Sequence, residues 1–176
     1  MIDRISSEEI AAAIRTASQE LFSTMLQLPL EDSPFYDETS EPESIDGVVA
    51  LVGIAGSWTG TGRIACSPHF ACRLAGALLM QPYESVNEDV LDAVAEVSNM
   101  IIGSVKTIFE EKLGPLALSI PTVIFGRNYR TRSSGVPKWT VVPFRTDGDT
   151  WNISFCVIPT KTSGQHIARP DVVLAV

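Results

Sequence analysis

The chain has 176 residues, 45% of them hydrophobic and 19% charged, the proportions of an ordinary globular protein. That length supports one domain with a real core, and no apolar run reaches the roughly 18 residues that a bilayer-spanning helix needs. The formal charge is −8, but seven of the acids (Glu31, Asp32, Asp37, Glu38, Glu41, Glu43 and Asp46) sit in residues 31–46 with no Lys or Arg among them. The rest of the chain is close to neutral. Nucleic-acid binding, which asks for a basic face, is not expected.

Met1 to Glu9 shows no basic leader followed by an apolar stretch, so a cytoplasmic protein without a secretory signal is expected. Ser6-x-x-Glu9 then reads as a capping box. Behind it Ile10, Ile14, Ala17, Leu21, Met25 and Leu28 recur at helical spacing up to Pro29. The acidic stretch 31–46 is expected to be a flexible surface loop. Two β-like runs follow, 47–56 and 60–66, with Ser57-Trp58-Thr59 as the turn and Gly53, Gly56, Gly60 and Gly62 as hairpin glycines. Ser67-Pro68 opens a short helix with Phe70, Leu74, Ala77 and Leu78 as its buried stripe. Asn87-Glu88-Asp89 opens a longer one, running to about Lys112 and stopped by Gly114-Pro115. The remainder is strand-like, at 117–126, 127–134, 138–145 and 151–158, and residues 160–176 form a tail. Helix, hairpin, helix, long helix and strand meander predict a single α+β domain, with helices packed on a largely antiparallel sheet.

The long helix carries Glu96-Val-Ser-Asn99-Met-Ile-Ile-Gly103. At about 100° per residue, Asn99 falls about −60° and Gly103 about −20° from Glu96, while Val94, Val97, Ile101, Val105 and Ile108 fall between roughly 100° and 180°. Asp92, Lys106 and Glu110 share the polar side. Glu96 and Asn99 should therefore look outward from an anchored helix. A Glu and an Asn on such a face are most often merely solvated. Gly103 is less ordinary, because a mid-helix Gly costs on the order of 1 kcal/mol against Ala. Either a partner or a neighbouring strand of the same chain comes close to that backbone.

Other motifs carry less. Cys66-x-x-His69-x-x-Cys72 has metal-like spacing but lacks the four ligands of a structural zinc site. With Cys156 it is expected to supply reduced, packed thiols. The glycines at 53–62 are followed by no Gly-Lys-Ser/Thr. Arg127, Arg130 and Arg132 read as a charged strand face, with an anion or partner contact as the alternative. His166 stands alone, and no nucleophile elbow is present.

Ala95 to Gly103 together with Ser119-Ile120-Pro121-Thr122-Val123-Ile124-Phe125-Gly126 resembles the CheX branch of the CheC/CheX/FliY chemotaxis phosphatases. The hairpin Val49 to Gly60 and the helix end Leu74 to Met80 are similar to the same branch. The resemblance is close over roughly 47–145 and extends to the first helix in pattern only. It implies hydrolysis of the phosphoaspartate of a phosphorylated CheY-like receiver domain, with Asn99 orienting a water and Glu96 pairing with a receiver Lys. Asp92, Gly103 and Lys106 become expected partner contacts. The receiver would supply the Mg²⁺, and this chain would bind no cofactor or metal of its own. The first helix, around Ala17 to Leu21, has no second Glu-x-x-Asn, so one site per chain is implied, in a branch whose members form homodimers. The 31–46 stretch and the tail beyond 159 have no counterpart in it. The competing expectation is a non-catalytic CheX-like module that binds a receiver or a flagellar-switch component. Retention of both Glu96 and Asn99 favours the enzyme, and the pathway served is left open.

Overall fold

The computed structural model describes residues 5–39, 45–129 and 138–160. Ser6 caps α1 (Ser7–Leu21): its hydroxyl accepts the Glu9 amide at 3.2 Å, and the Glu9 carboxylate accepts the Ser6 amide at 2.8 Å, the reciprocal box expected. The single helix read up to Pro29 instead widens after Leu21 into a π-helical turn, Phe22–Leu26, closed by Gln27 at φ 52°. That turn buries Phe22 and Leu26. α2 (Pro68–Leu79) starts where the Ser67 hydroxyl accepts the Phe70 amide at 3.0 Å. α3 (Glu88–Leu113) starts where the Asn87 carboxamide accepts the Val90 amide at 3.0 Å, and it ends at Gly114, φ 80°. All three starts were legible because capping is local.

The strands are β1 (Glu31–Asp32), β2 (Tyr36–Glu38), β3 (Ile45–Gly56), β4 (Trp58–Cys66), β5 (Leu116–Leu118), β6 (Thr122–Tyr129), β7 (Trp139–Thr146) and β8 (Asp149–Pro159). They form one antiparallel sheet in the order β1-β7-β8-β4-β3-β5. Each outer place is shared by two strands, β1 and β2 on β7, and β5 and β6 on β3. The helices cover one face, where Val48, Ala50 and Val52 of β3 and Ile153 and Phe155 of β8 join the helix side chains in one core. The expected α+β architecture is the one that forms. Trp151 is the hub at one end, stacked by Phe22, Phe70 and Phe144 with ring centroids 5.2, 5.1 and 4.9 Å away. It ties the π-helical turn, α2 and β7 to β8, and such ring pairs add about 0.5–1.5 kcal/mol each beyond their area burial.

Three expectations for the strands and the loop before them change. The stretch 31–46 is not all loop: 31–32 and 36–38 pair with β7, and 45–46 belong to β3. Residues 40–44 lie outside the described residues. Its acids meet bases from other elements, Arg15–Asp32 and Lys138–Asp37 both at 2.6 Å and Arg63–Glu38 at 3.6 Å, partners that local composition does not reveal. The strand read as 117–126 is two, because Pro121 has no amide to give to the ladder. β6 then runs on to Tyr129, taking in the start of the strand read as 127–134, whose residues from 130 are outside the described set. Trp58 is buried in β4 rather than part of a turn. The tail beyond Thr160 also lies outside the described residues.

Of the expected hairpin glycines only Gly56 is at the turn, while Gly53, Gly60 and Gly62 lie within strands at points of close approach. A Cβ on Gly62 would stand 2.4 Å from Ile102 Cδ1 and 2.7 Å from its Cγ1. This is where α3 comes down onto the sheet.

Candidate functional site

α3 is 26 residues long, about 39 Å at 1.5 Å per residue, and its packed side is nearly sealed. Val94, Val97, Ile101, Ile102 and Val105 are each at most 1% exposed. From Ile101 a buried row steps by four, through Val105, Phe109 and Leu113. Each such step turns the buried face by about 40°. This leaves Ile108, expected to be buried, 43% exposed. Ser98, next to Asn99, is buried and donates to the Val94 carbonyl at 2.6 Å.

Glu96 projects to solvent and Asn99 is half-buried, one turn apart on one side of this anchored helix. Among the described residues neither side chain is held by a hydrogen bond or an ion pair, and the same is true of the exposed Asp92. Gly103 lies one turn further along. A Cβ there would meet Leu118 Cδ1 at 3.7 Å, an ordinary contact, so close packing within the chain does not require this glycine.

Lys106, expected to meet a partner, is engaged internally. Its ammonium lies 2.8 Å from Glu110 Oε1 and donates to the Leu116 carbonyl at 3.2 Å, and its side chain is only 19% exposed. Glu110 in turn accepts the Leu116 amide at 2.9 Å. The hydrogen bond from Lys106, followed by that from Leu116, holds the Glu110 carboxyl below its ordinary range. The pair clamps β5 against α3. A Lys and a Glu four residues apart are visible in the sequence, but their common target, the Leu116 backbone, is not.

The Cys66, His69 and Cys72 trio does not converge on a metal. His69 faces Asp149, Nδ1 to carboxylate 3.1 Å, and no cluster of three or more His, Cys, Asp or Glu able to hold a metal occurs among the described residues. The three thiols are free and buried. Burial pushes Cys66 up to about 12 and Cys156 up to about 11, far from nucleophilic thiolates. Arg127 is exposed on β6, while Arg130, Arg132 and His166 lie outside the described residues. No helix among the described residues is long and apolar enough to cross a membrane.

The open side of α3 thus offers a carboxylate, a carboxamide and a bare stretch of backbone. A carboxamide donates and accepts hydrogen bonds but is no base at neutral pH. Such a set can position a water or a partner group, and cannot by itself supply a nucleophile.

The family model described as chemotaxis phosphatase CheX matches residues 48–145. The chain belongs to the CheX family. The matched span contains α2, α3 and the Glu96–Gly103 motif, and leaves out α1 and β8. No curated protein matches the sequence. Among solved structures the chain is similar to the chemotaxis protein CheX of Desulfovibrio desulfuricans, with 26% identity, a TM-score of 0.75, and 85% of this chain and 99% of that one covered. It is also similar to a chain of the CheX–CheY–BeF3–Mg²⁺ complex of Borrelia burgdorferi, with 24% identity, a TM-score of 0.70, and 88% and 99% covered. A CheC-like superfamily protein from a Shewanella species shares the fold at 20% identity and a TM-score of 0.75, with 85% and 97% covered.

Proposed function

We propose that this CheX-family chain hydrolyses the phosphoaspartate of a phosphorylated CheY-type receiver. The observation that carries the proposal is the outward pair Glu96 and Asn99, tied to nothing among the described residues, on a helix whose other side is sealed into the core. In this reaction a water oxygen attacks phosphorus as the bond from phosphorus to the receiver's carboxylate oxygen breaks, releasing inorganic phosphate and the free carboxylate. An acyl phosphate is already reactive, so the reaction asks mainly for alignment and charge stabilisation. Asn99 holds the water in line through its carboxamide. Glu96 grips a receiver cation, and the absence of a Cβ at Gly103 gives the partner's backbone clearance. The receiver brings the Mg²⁺, and the chain contributes no metal or cofactor.

The exposed acids Asp92 and Glu96 suit a face that carries a divalent cation and a lysine. A CheX bound to CheY in the Borrelia complex supports the choice of partner. A homodimer and service in chemotaxis belong to the same reading. The test is release of phosphate from a CheY-type receiver charged with acetyl phosphate in the presence of Mg²⁺. Acceleration by catalytic amounts of the chain is expected. Binding without acceleration would favour the non-catalytic module instead.

A further inference from the structure

We infer that Ile120, on the β5–β6 edge, is the apolar anchor that seats the receiver against α3, and that it sets affinity rather than chemistry. This inference rests on the phosphatase reading. Ile120 is 89% exposed, against at most 3% for Ile54, Ile64, Ile101, Ile102 and Ile153. Its position is imposed by the backbone. Leu118 pairs with Ile54 and Thr122 with Leu51. Between them Ser119 donates its amide to the Gly53 carbonyl at 2.9 Å and accepts the Gly53 amide on its hydroxyl at 2.8 Å.

Ile120 and Pro121 therefore share the single place opposite Val52, which makes this a β-bulge, a device that re-aims side chains at sheet edges. Leu118, paired with Ile54, packs against the core beneath the helices, and the alternation of extended chain returns Ile120 to the side that Leu118 takes. Ile120 is thus on the helix side of the sheet, beyond the rim of the core.

The clamp to α3 fixes its level along the helix. The backbone of Leu116 meets Lys106 and Glu110, and Leu118 Cδ1 lies 3.7 Å from where a Cβ on Gly103 would stand. Two strand residues advance about 6.6 Å, which matches about four helix residues at 1.5 Å each. Two further strand residues bring Ile120 level with Asn99. A receiver that places its phosphoaspartate at Asn99 must also cover Ile120. The surface is acidic on the helix at Asp92 and Glu96 and aliphatic on the strand, so it fits a partner with a cationic centre beside an apolar patch.

The experiment measures phosphate release against receiver concentration, using the acetyl-phosphate-charged CheY-type receiver with Mg²⁺. Ile120→Asp is expected to raise KM about tenfold, a loss of about 1.4 kcal/mol, with kcat within twofold of the wild-type chain. Ile120→Leu restores KM. Ile158, 51% exposed, pairs with Thr59 on the other face of the sheet, and Ile158→Asp changes neither constant. Thermal melts of the variants should superimpose on the wild type, because the side chain is free of the core. An unchanged KM, a fall in kcat at constant KM, or a change in the mass of the Ile120→Asp chain in light scattering overturns the inference, the last by giving the residue to a second copy. Failure of the wild-type chain to accelerate release overturns the phosphatase reading itself, and this is read before any variant is compared.

Discussion

On the side of α3 that meets the sheet, Ile102 presses on Gly62 so closely that a methyl group would not fit between them. On the side that meets solvent, the backbone at Gly103 has room for one, and Glu96 and Asn99 are tied to nothing among the described residues. The same residue type serves opposite ends. Gly62 lets two elements of this chain meet, whereas the chain's own packing has no use for Gly103. Polar side chains with no tie among the described residues, on a helix this firmly held, are where the proposed receiver would add its contribution. The tight packing beneath keeps that side in place.

The same substitution at the two glycines separates these roles. Gly62→Ala is expected to cost about 1–3 kcal/mol of stability, since α3 must shift to admit the methyl, read as a lower denaturant midpoint. Gly103→Ala is expected to raise stability by up to about 1 kcal/mol through helix propensity, and to slow receiver turnover by crowding the partner. Equal destabilisation by both would erase the contrast. A stabilised Gly103→Ala chain with full turnover would remove the clearance role.

A smaller effect tests the outer tie between α1 and the far end of α3. Lys112 meets Glu9 at 2.7 Å. The hydrogen bond from Lys112, then that from the Ser6 backbone, lowers the Glu9 carboxyl to about 2. Its folded value is below its unfolded one, so its stabilisation is present above the ordinary carboxylate range and is lost as pH falls toward 2. Glu9→Gln should therefore be less stable than the wild type at neutral pH, by a small margin because the pair is exposed. The two melting curves should converge near pH 2. A gap that stays constant with pH would show that the carboxylate charge is not the tie.

What could be read from the residues alone follows from how local the cause is. Ser6 with Glu9, Ser67 with Pro68, and Asn87 each start a helix through bonds within three residues, and all three were legible. So was the outward placement of Glu96 and Asn99, which needs only the helical period. β1 and β2 were not, since Glu31 and Asp37 pair across the sheet with Arg145 and Thr140, more than a hundred residues away. Nor was the exposure of Ile108, which depends on how the buried face of α3 turns as it crosses the sheet. The Lys106 clamp and the bulge at Ile120 and Pro121 were hidden for the same reason: each is completed by backbone from another element. The role of the outward pair came from resemblance to a family, because half of the proposed site lies in the partner.

In the proposed mechanism Asn99 positions the attacking water while the rest of the open side of α3 holds the receiver. The direct test pairs two readouts on wild-type and Asn99→Ala chains: phosphate release from the charged CheY-type receiver, and affinity for it. Asn99→Ala is expected to lose turnover on the order of 10²-fold or more, the scale of removing one well-placed hydrogen-bonding group from a reacting centre, with affinity within a few-fold of wild type and an unchanged melting temperature. Undiminished turnover by Asn99→Ala would contradict this mechanism.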